Sequence, residues 1–99
     1  MIYHVVHKTK WQEALQQNFY EADSLSSEGF IHMSTKEQVN GVLQRYYKEQ
    51  KDLLLLHIDE KKLSAALKYE LAPSLNELFP HLFGRLNINA VTEVSAIEQ

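Results

Sequence analysis

Three short stretches each set a histidine among apolar neighbours: Ile2-Tyr3-His4-Val5, Gly29-Phe30-Ile31-His32-Met33-Ser34 and Phe79-Pro80-His81-Leu82. Imidazole is the side chain that serves as acid, base and ligand near neutral pH. A position that needed only packing is filled more simply by Val or Leu. The three segments therefore point to a small site around His4, His32 and His81. His32 stands just before a helix-start signal, where backbone amides attract anionic oxygens. Ser34-Thr35-Lys36-Glu37 has capping-box spacing with Ser34 as the N-cap, and a capping serine lies where a phosphate would dock. Pro80 biases Phe79 towards an extended backbone and so sets the entry into the strand that carries His81. Glu70 has two readings, a surface partner for lysine or an orienter of a histidine or a ribose hydroxyl.

Each of these has a plainer alternative. His4 reads equally as a half-buried histidine bonded to backbone, and Ser34 as a cap with no chemistry. Tyr3, Trp11, Phe30 and Phe83 read as core, with one of them available as a stacking wall. His7 lies near a strand end and His57 precedes a helix cap, so both carry weaker cases.

Composition removes several classes of function. There is no cysteine, which excludes disulfides, thiolate metal sites and a cysteine nucleophile. The histidines lack the close i, i+4 spacing of a zinc site, so no metal is expected. No nucleophile elbow is present, and three glycines cannot build a Walker or dinucleotide-fold loop. With a net charge of −3, two arginines and lysines interleaved with acids, the chain is not expected to track nucleic-acid phosphates. The N-terminus shows no basic and apolar signal pattern, and the apolar run at residues 53–56 is too short for a bilayer. A cytoplasmic protein without a membrane partner is the expectation.

The 99 residues suit a single domain able to bury a core without staples. Ile2 to His7 alternates and reads as a strand. Thr9-Lys10-Trp11-Gln12 has capping-box spacing and predicts a short helix with Trp11 and Leu15 turned to the core. Residues 19–22 read as a short extended piece and 23–29 as a polar loop, in which Gly29 takes a conformation that a Cβ disfavours. Residues 30–33 form a second strand, with Phe30 and His32 on one face and Ile31 and Met33 on the other. A helix follows through Val39, Leu43, Tyr46 and Tyr47, with Gly41 allowing close packing against a neighbour. Leu53 to Ile58 predicts a strand buried on both faces, and Asp59 caps a short helix with Leu63, Ala66 and Leu67. Tyr69-Glu70-Leu71 is extended and residues 72–78 form a loop. A strand through His81 turns at Gly84 into a last strand at 88–97. The order predicts an α+β domain with a mixed or mainly antiparallel sheet and short helices.

Taken together, Ile2-Tyr3-His4, Trp11, Ser24-Leu25, Glu28-Gly29-Phe30-Ile31-His32-Met33-Ser34-Thr35, Gln38, Tyr69-Glu70 and the block from Phe79 to Leu86 resemble a bacterial family, domain-of-unknown-function family 952. The resemblance spans nearly the whole chain. It implies a fold similar to the ADP-ribosyltransferase superfamily, a split β-sheet around a cleft that holds NAD, ADP-ribose or a related nucleotide. In that superfamily one polar residue comes from the first strand, a second from a strand leading into a helix, and a third from a late strand. His4, the Gly29-to-Ser34 block and His81 match these positions. The resemblance thus implies His4, His32, His81 and Glu70 as catalytic, and Tyr3, Ser24, Phe30, Ser34 and Gln38 as ligand-binding. At the late position transferases carry a glutamate, and this chain has His81. The rival readings are a non-enzymatic binding or interaction module with structural histidines and, behind it, a metal-dependent hydrolase.

Overall fold

A computed structural model describes residues 1–99 of the chain. The alternating segment Ile2–His7 forms β1 and pairs antiparallel with β4 (Leu53–Ile58), which pairs in turn with β8 (Val91–Ile97). A second sheet has the order β3 (Ile31–His32), β6 (Glu77–Phe83) and β5 (Ala66–Ala72). A two-strand ribbon, β2 (Phe19–Tyr20) with β7 (Leu86–Asn87), lies apart from both. Every pairing is antiparallel. The two larger sheets meet at one bridge, where the Tyr3 and Ser34 amides each donate to the other's carbonyl at 2.8 Å.

One apolar cluster holds these layers together. Ile2 and Val6 of β1, Leu56 of β4, Ile31 of β3 and Leu82 of β6 are all buried in it. Burying each such side chain contributes about 1.5–3 kcal/mol. The faces of β3 divide as the alternation predicts: Ile31 and Met33 enter the core, while Phe30 and His32 stand on the opposite face.

The first helix, α1 (Lys8–Gln17), starts two residues earlier than the capping-box spacing suggests. His7 is its N-cap, so Thr9 lies inside the helix and caps nothing. Trp11 and Ala14 face the core and Leu15 is exposed, so the buried stripe follows i, i+3 rather than i, i+4 spacing. Residues 23–28 form a helix, α2 (Asp23–Glu28), where a loop is expected. Asp23 in its first turn favours the helix dipole, and Gly29 ends it with φ 89° while its amide donates to Leu25 and Ser24 carbonyls.

The capping box after β3 is shifted by one residue. Thr35, not Ser34, is the N-cap, and Gln38 returns a bond to the Thr35 amide at 3.0 Å. Ser34 is held instead in the bridge to Tyr3. A 3₁₀ turn (Lys36–Gln38) then leads into α3 (Val39–Tyr46). Gly41 serves no close packing between elements; a Cβ there would meet the flexible guanidinium of Arg45 in its own helix. Strand β4 is buried at Leu53 on one face and at Leu56 and Ile58 on the other, with half-buried residues between them.

Asp59 caps a 3₁₀ turn (Glu60–Lys62), accepting from the Lys61 amide, but Ala66 and Leu67 already belong to β5. Gly84 is required by contact: a Cβ would sit 2.7 Å from that of Ala65. The predicted last strand begins later than expected, since Ile88–Ala90 is a 3₁₀ turn before β8. No helix is long and apolar enough to cross a membrane.

Candidate functional site

The register of the β3–β6–β5 sheet puts the chemistry on one face. His32 pairs with His81, Lys68 with His81, and Glu70 with Phe79. Residues directly opposite in an antiparallel pair, and their diagonal neighbours, share a face and touch. Glu70 therefore lies diagonally across from His81, and its Oε1 accepts from His81 Nδ1 at 2.8 Å. The Phe30 ring stacks on the His81 imidazole at 4.0 Å between centroids and 12° between planes. His81 is buried, yet its Nε2 has no hydrogen-bond partner. Because no fully buried side-chain nitrogen or oxygen lacks a partner, Nε2 is the nitrogen that reaches accessible space. A carboxylate on Nδ1 fixes the tautomer that leaves a lone pair on Nε2, which is the arrangement of a general base.

His4 is set up differently. Its Nδ1 donates to the His32 carbonyl at 2.6 Å, and its Nε2 accepts from the Tyr20 hydroxyl at 2.9 Å. One residue past the Tyr3–Ser34 bridge, an imidazole rather than a backbone amide thus joins β1 to β3. Burial lowers the His4 pKa to about 4, with the His32 carbonyl opposing the shift and the His32 ring adding to it. Burial also pushes the Tyr20 phenol well up, so it stays a donor. His4 is a neutral ring with both nitrogens engaged, and neither is free for a ligand.

His32 is half exposed. Its Nε2 lies 3.0 Å from Glu28 Oε2, and its ring meets that of His81 edge to face at 5.3 Å. The Gly29 turn makes the Glu28 contact by folding the end of α2 back beside β3. His4, His32, Ser34, His81 and Glu28 all border one cleft of about 590 Å³, within the roughly 300–1,000 Å³ of small-molecule sites. Its other walls come from α3 and the β5–β6 turn, with Tyr46, Tyr47 and Phe79 as aromatic surface.

The family model for a protein of unknown function, DUF952, matches residues 5–94. The chain belongs to the DUF952 family. Among solved structures, the crystal structure of protein CC0527 from Caulobacter crescentus is similar to it, with a TM-score of 0.89 and 28% identity over 98% of this chain and 85% of that one. The solution NMR structure of CC0527 superimposes with a TM-score of 0.84 at the same identity, over 98% of this chain and 84% of that one. No curated protein matches.

In this DUF952 chain the expected site residues separate into two groups. His32, Ser34 and His81 border the cleft, with Glu70 and Phe30 behind His81. Ser34 is buried with no hydroxyl partner, so its Oγ, like His81 Nε2, reaches accessible space. The others are held by the fold. The Ser24 hydroxyl donates to the Phe30 carbonyl at 2.8 Å, Gln38 closes the capping box and donates to the Leu78 carbonyl, and the Tyr3 ring packs edge-on against His57. Sequence reasoning did not find Glu28, Tyr46, Tyr47 and Phe79 as lining residues of the DUF952 cleft. Glu28 carried no helical signal, since the Gly29 turn stands between the end of α2 and His32 in β3. Three or more groups that could hold a metal ion do not gather anywhere in the chain.

Proposed function

We propose that the cleft binds a nucleoside-bearing small molecule of the NAD and ADP-ribose kind, and that His81, oriented by Glu70, exchanges a proton with one of its hydroxyls. The observation that carries this reading is the 2.8 Å Glu70–His81 bond, with Nε2 left open on a ring that lines the cleft. The Ser34 hydroxyl and the aromatic side chains of Tyr46 and Phe79 supply a second polar contact and a surface for a flat ring. An ADP-ribosyltransferase-like split sheet is part of the same proposal. Its support is that a first-strand residue, a strand-into-helix segment and a late-strand residue border one cleft.

The late position differs from the transferase pattern in its chemistry. A neutral imidazole cannot stabilise the positive charge that develops as a glycosidic bond breaks. In this chain the carboxylate stands one step behind, on Glu70, and lends its charge through the ring. A second reading, a non-enzymatic binding module with structural histidines, is favoured at His4, where both nitrogens bond within the fold.

The test is a titration of labelled protein with NAD, ADP-ribose and nicotinamide riboside, followed by backbone and imidazole NMR. Shifts centred on His32, Ser34 and His81, lost in a folded His81→Asn variant, are expected. Silence with all three ligands would overturn the proposal and leave the binding-module reading.

A further inference from the structure

We infer that the cleft selects by charge: it takes a flat organic cation and leaves phosphate groups outside. This rests on the ligand-binding reading above and narrows it to ligands that carry such a cation, as NAD does and ADP-ribose does not. Glu28 is the one lining side chain outside the histidines that carries a formal charge, and no lysine or arginine borders the cleft. A second carboxylate, Glu70, stands directly behind His81. Each carboxylate meets an imidazole, Glu28 that of His32 at 3.0 Å and Glu70 that of His81 at 2.8 Å, and no lysine or arginine side chain lines the cleft to receive an added anion.

Proteins bind phosphate with Arg or Lys, or with free amides at a helix start. Here the Ser34, Thr35 and Gln38 amides already have partners. The Ser34 amide donates to the Tyr3 carbonyl at 2.8 Å, the Thr35 amide to Gln38 Oε1 at 3.0 Å, and the Gln38 amide to the Thr35 carbonyl at 3.0 Å. Lys68 shares the sheet face with His81, but its ammonium lies 5.4 Å from the Phe83 ring centroid, and Lys68 is not among the lining residues.

The aromatic groups argue in the same direction. Tyr46, Tyr47 and Phe79 border the cleft, and aromatic faces attract cations through the ring quadrupole. Of these rings, Tyr46 is already faced by the Arg45 guanidinium, whose carbon lies 5.7 Å from its centroid. A cleft lined by a carboxylate and by aromatic rings therefore suits a delocalised cation such as an N-alkylated pyridinium. A hydroxyl carried by that cation would fall to His81 Nε2 or Ser34 Oγ.

Three probes share one ring and differ in charge: N-methylnicotinamide (cation), nicotinamide (neutral) and nicotinate (anion). Each is titrated by NMR into wild type and Glu28→Gln. The cation should bind roughly five- to thirtyfold tighter than the neutral ring, with the anion weakest, and Glu28→Gln should narrow the cation's advantage. If nicotinate binds tightest, or if Glu28→Gln leaves the order and its spacing unchanged, charge selection falls while the ligand site stands. Silence from all three probes and from NAD removes both.

Discussion

Glu70 and His81 sit diagonally across the β5–β6 pair, and their 2.8 Å bond fixes which imidazole nitrogen carries the proton. A neutral His81 must hold that proton on Nδ1, since a carboxylate only accepts. Glu70→Ala removes the acceptor, and the ring should redistribute towards the Nε2–H form. Two-bond nitrogen–proton spectra of the imidazole read this directly. A wild-type spectrum already dominated by Nε2–H would contradict the dyad.

His4 predicts the acid sensitivity of the fold. Its pKa is lowered from 6.5 to about 4 by burial, so between these values the unfolded chain binds a proton that the folded chain refuses. Its contribution is complete above pH 6.5, is lost as pH falls towards 4, and levels off below. The slope is at most about 1.4 kcal/mol per pH unit, on the order of 3 kcal/mol in all. Urea unfolding of wild type and His4→Gln from pH 7.5 down to 4 should show this component in the first and not in the second. Parallel profiles would refute the assignment.

Tyr20→Phe leaves His4 Nε2 buried without a donor. The loss should be about 1–3 kcal/mol in urea unfolding. Tyr20 does not border the large cleft, so the ligand titrations should match wild type. A changed affinity with unchanged stability would mean that the phenol belongs to the site.

Gly29→Ala tests backbone conformation alone. No heavy atom lies within 4 Å of the place its Cβ would take, but φ is 89°. A left-handed conformation costs a residue with a Cβ about 1–2 kcal/mol. Gly29→Asn should lose less, because asparagine tolerates this region and holds it in this chain at Asn18 and Asn76. Equal thermal shifts for the two variants would rule out the conformational explanation.

Where alternation was strong, the sequence could be read to the residue: β1 from Ile2 to His7, and the two faces of β3. The helices were harder because their start signals overlap. Thr9 has capping spacing, yet His7 caps α1, and Ser34 has it one residue before the true cap, Thr35. In both cases strand pairing decides, since β1 and the Tyr3–Ser34 bridge hold the backbone extended up to those points. The α2 helix hid in polar residues with too few apolar positions to show a period. For the site, the three histidine segments were visible, but the roles within them were not. A sequence shows that His4 lies among apolar residues and cannot show that Tyr20 and the His32 carbonyl occupy its nitrogens. The Glu70–His81 contact depends on the register of β5 against β6, and that register depends on a turn at residues 73–76.

The Glu70–His81 pair lies on a single hairpin, eleven residues apart, while the two tyrosines of the aromatic wall come from the end of α3, earlier in the chain. These two parts are separately heritable. Substitution at Tyr46 or Tyr47 can reshape what a descendant protein admits without moving Glu70 or His81. On the proposed function, lineages of this fold are free to diverge in diet while keeping one reactive pair, and differences among them should concentrate on the helix and spare the hairpin.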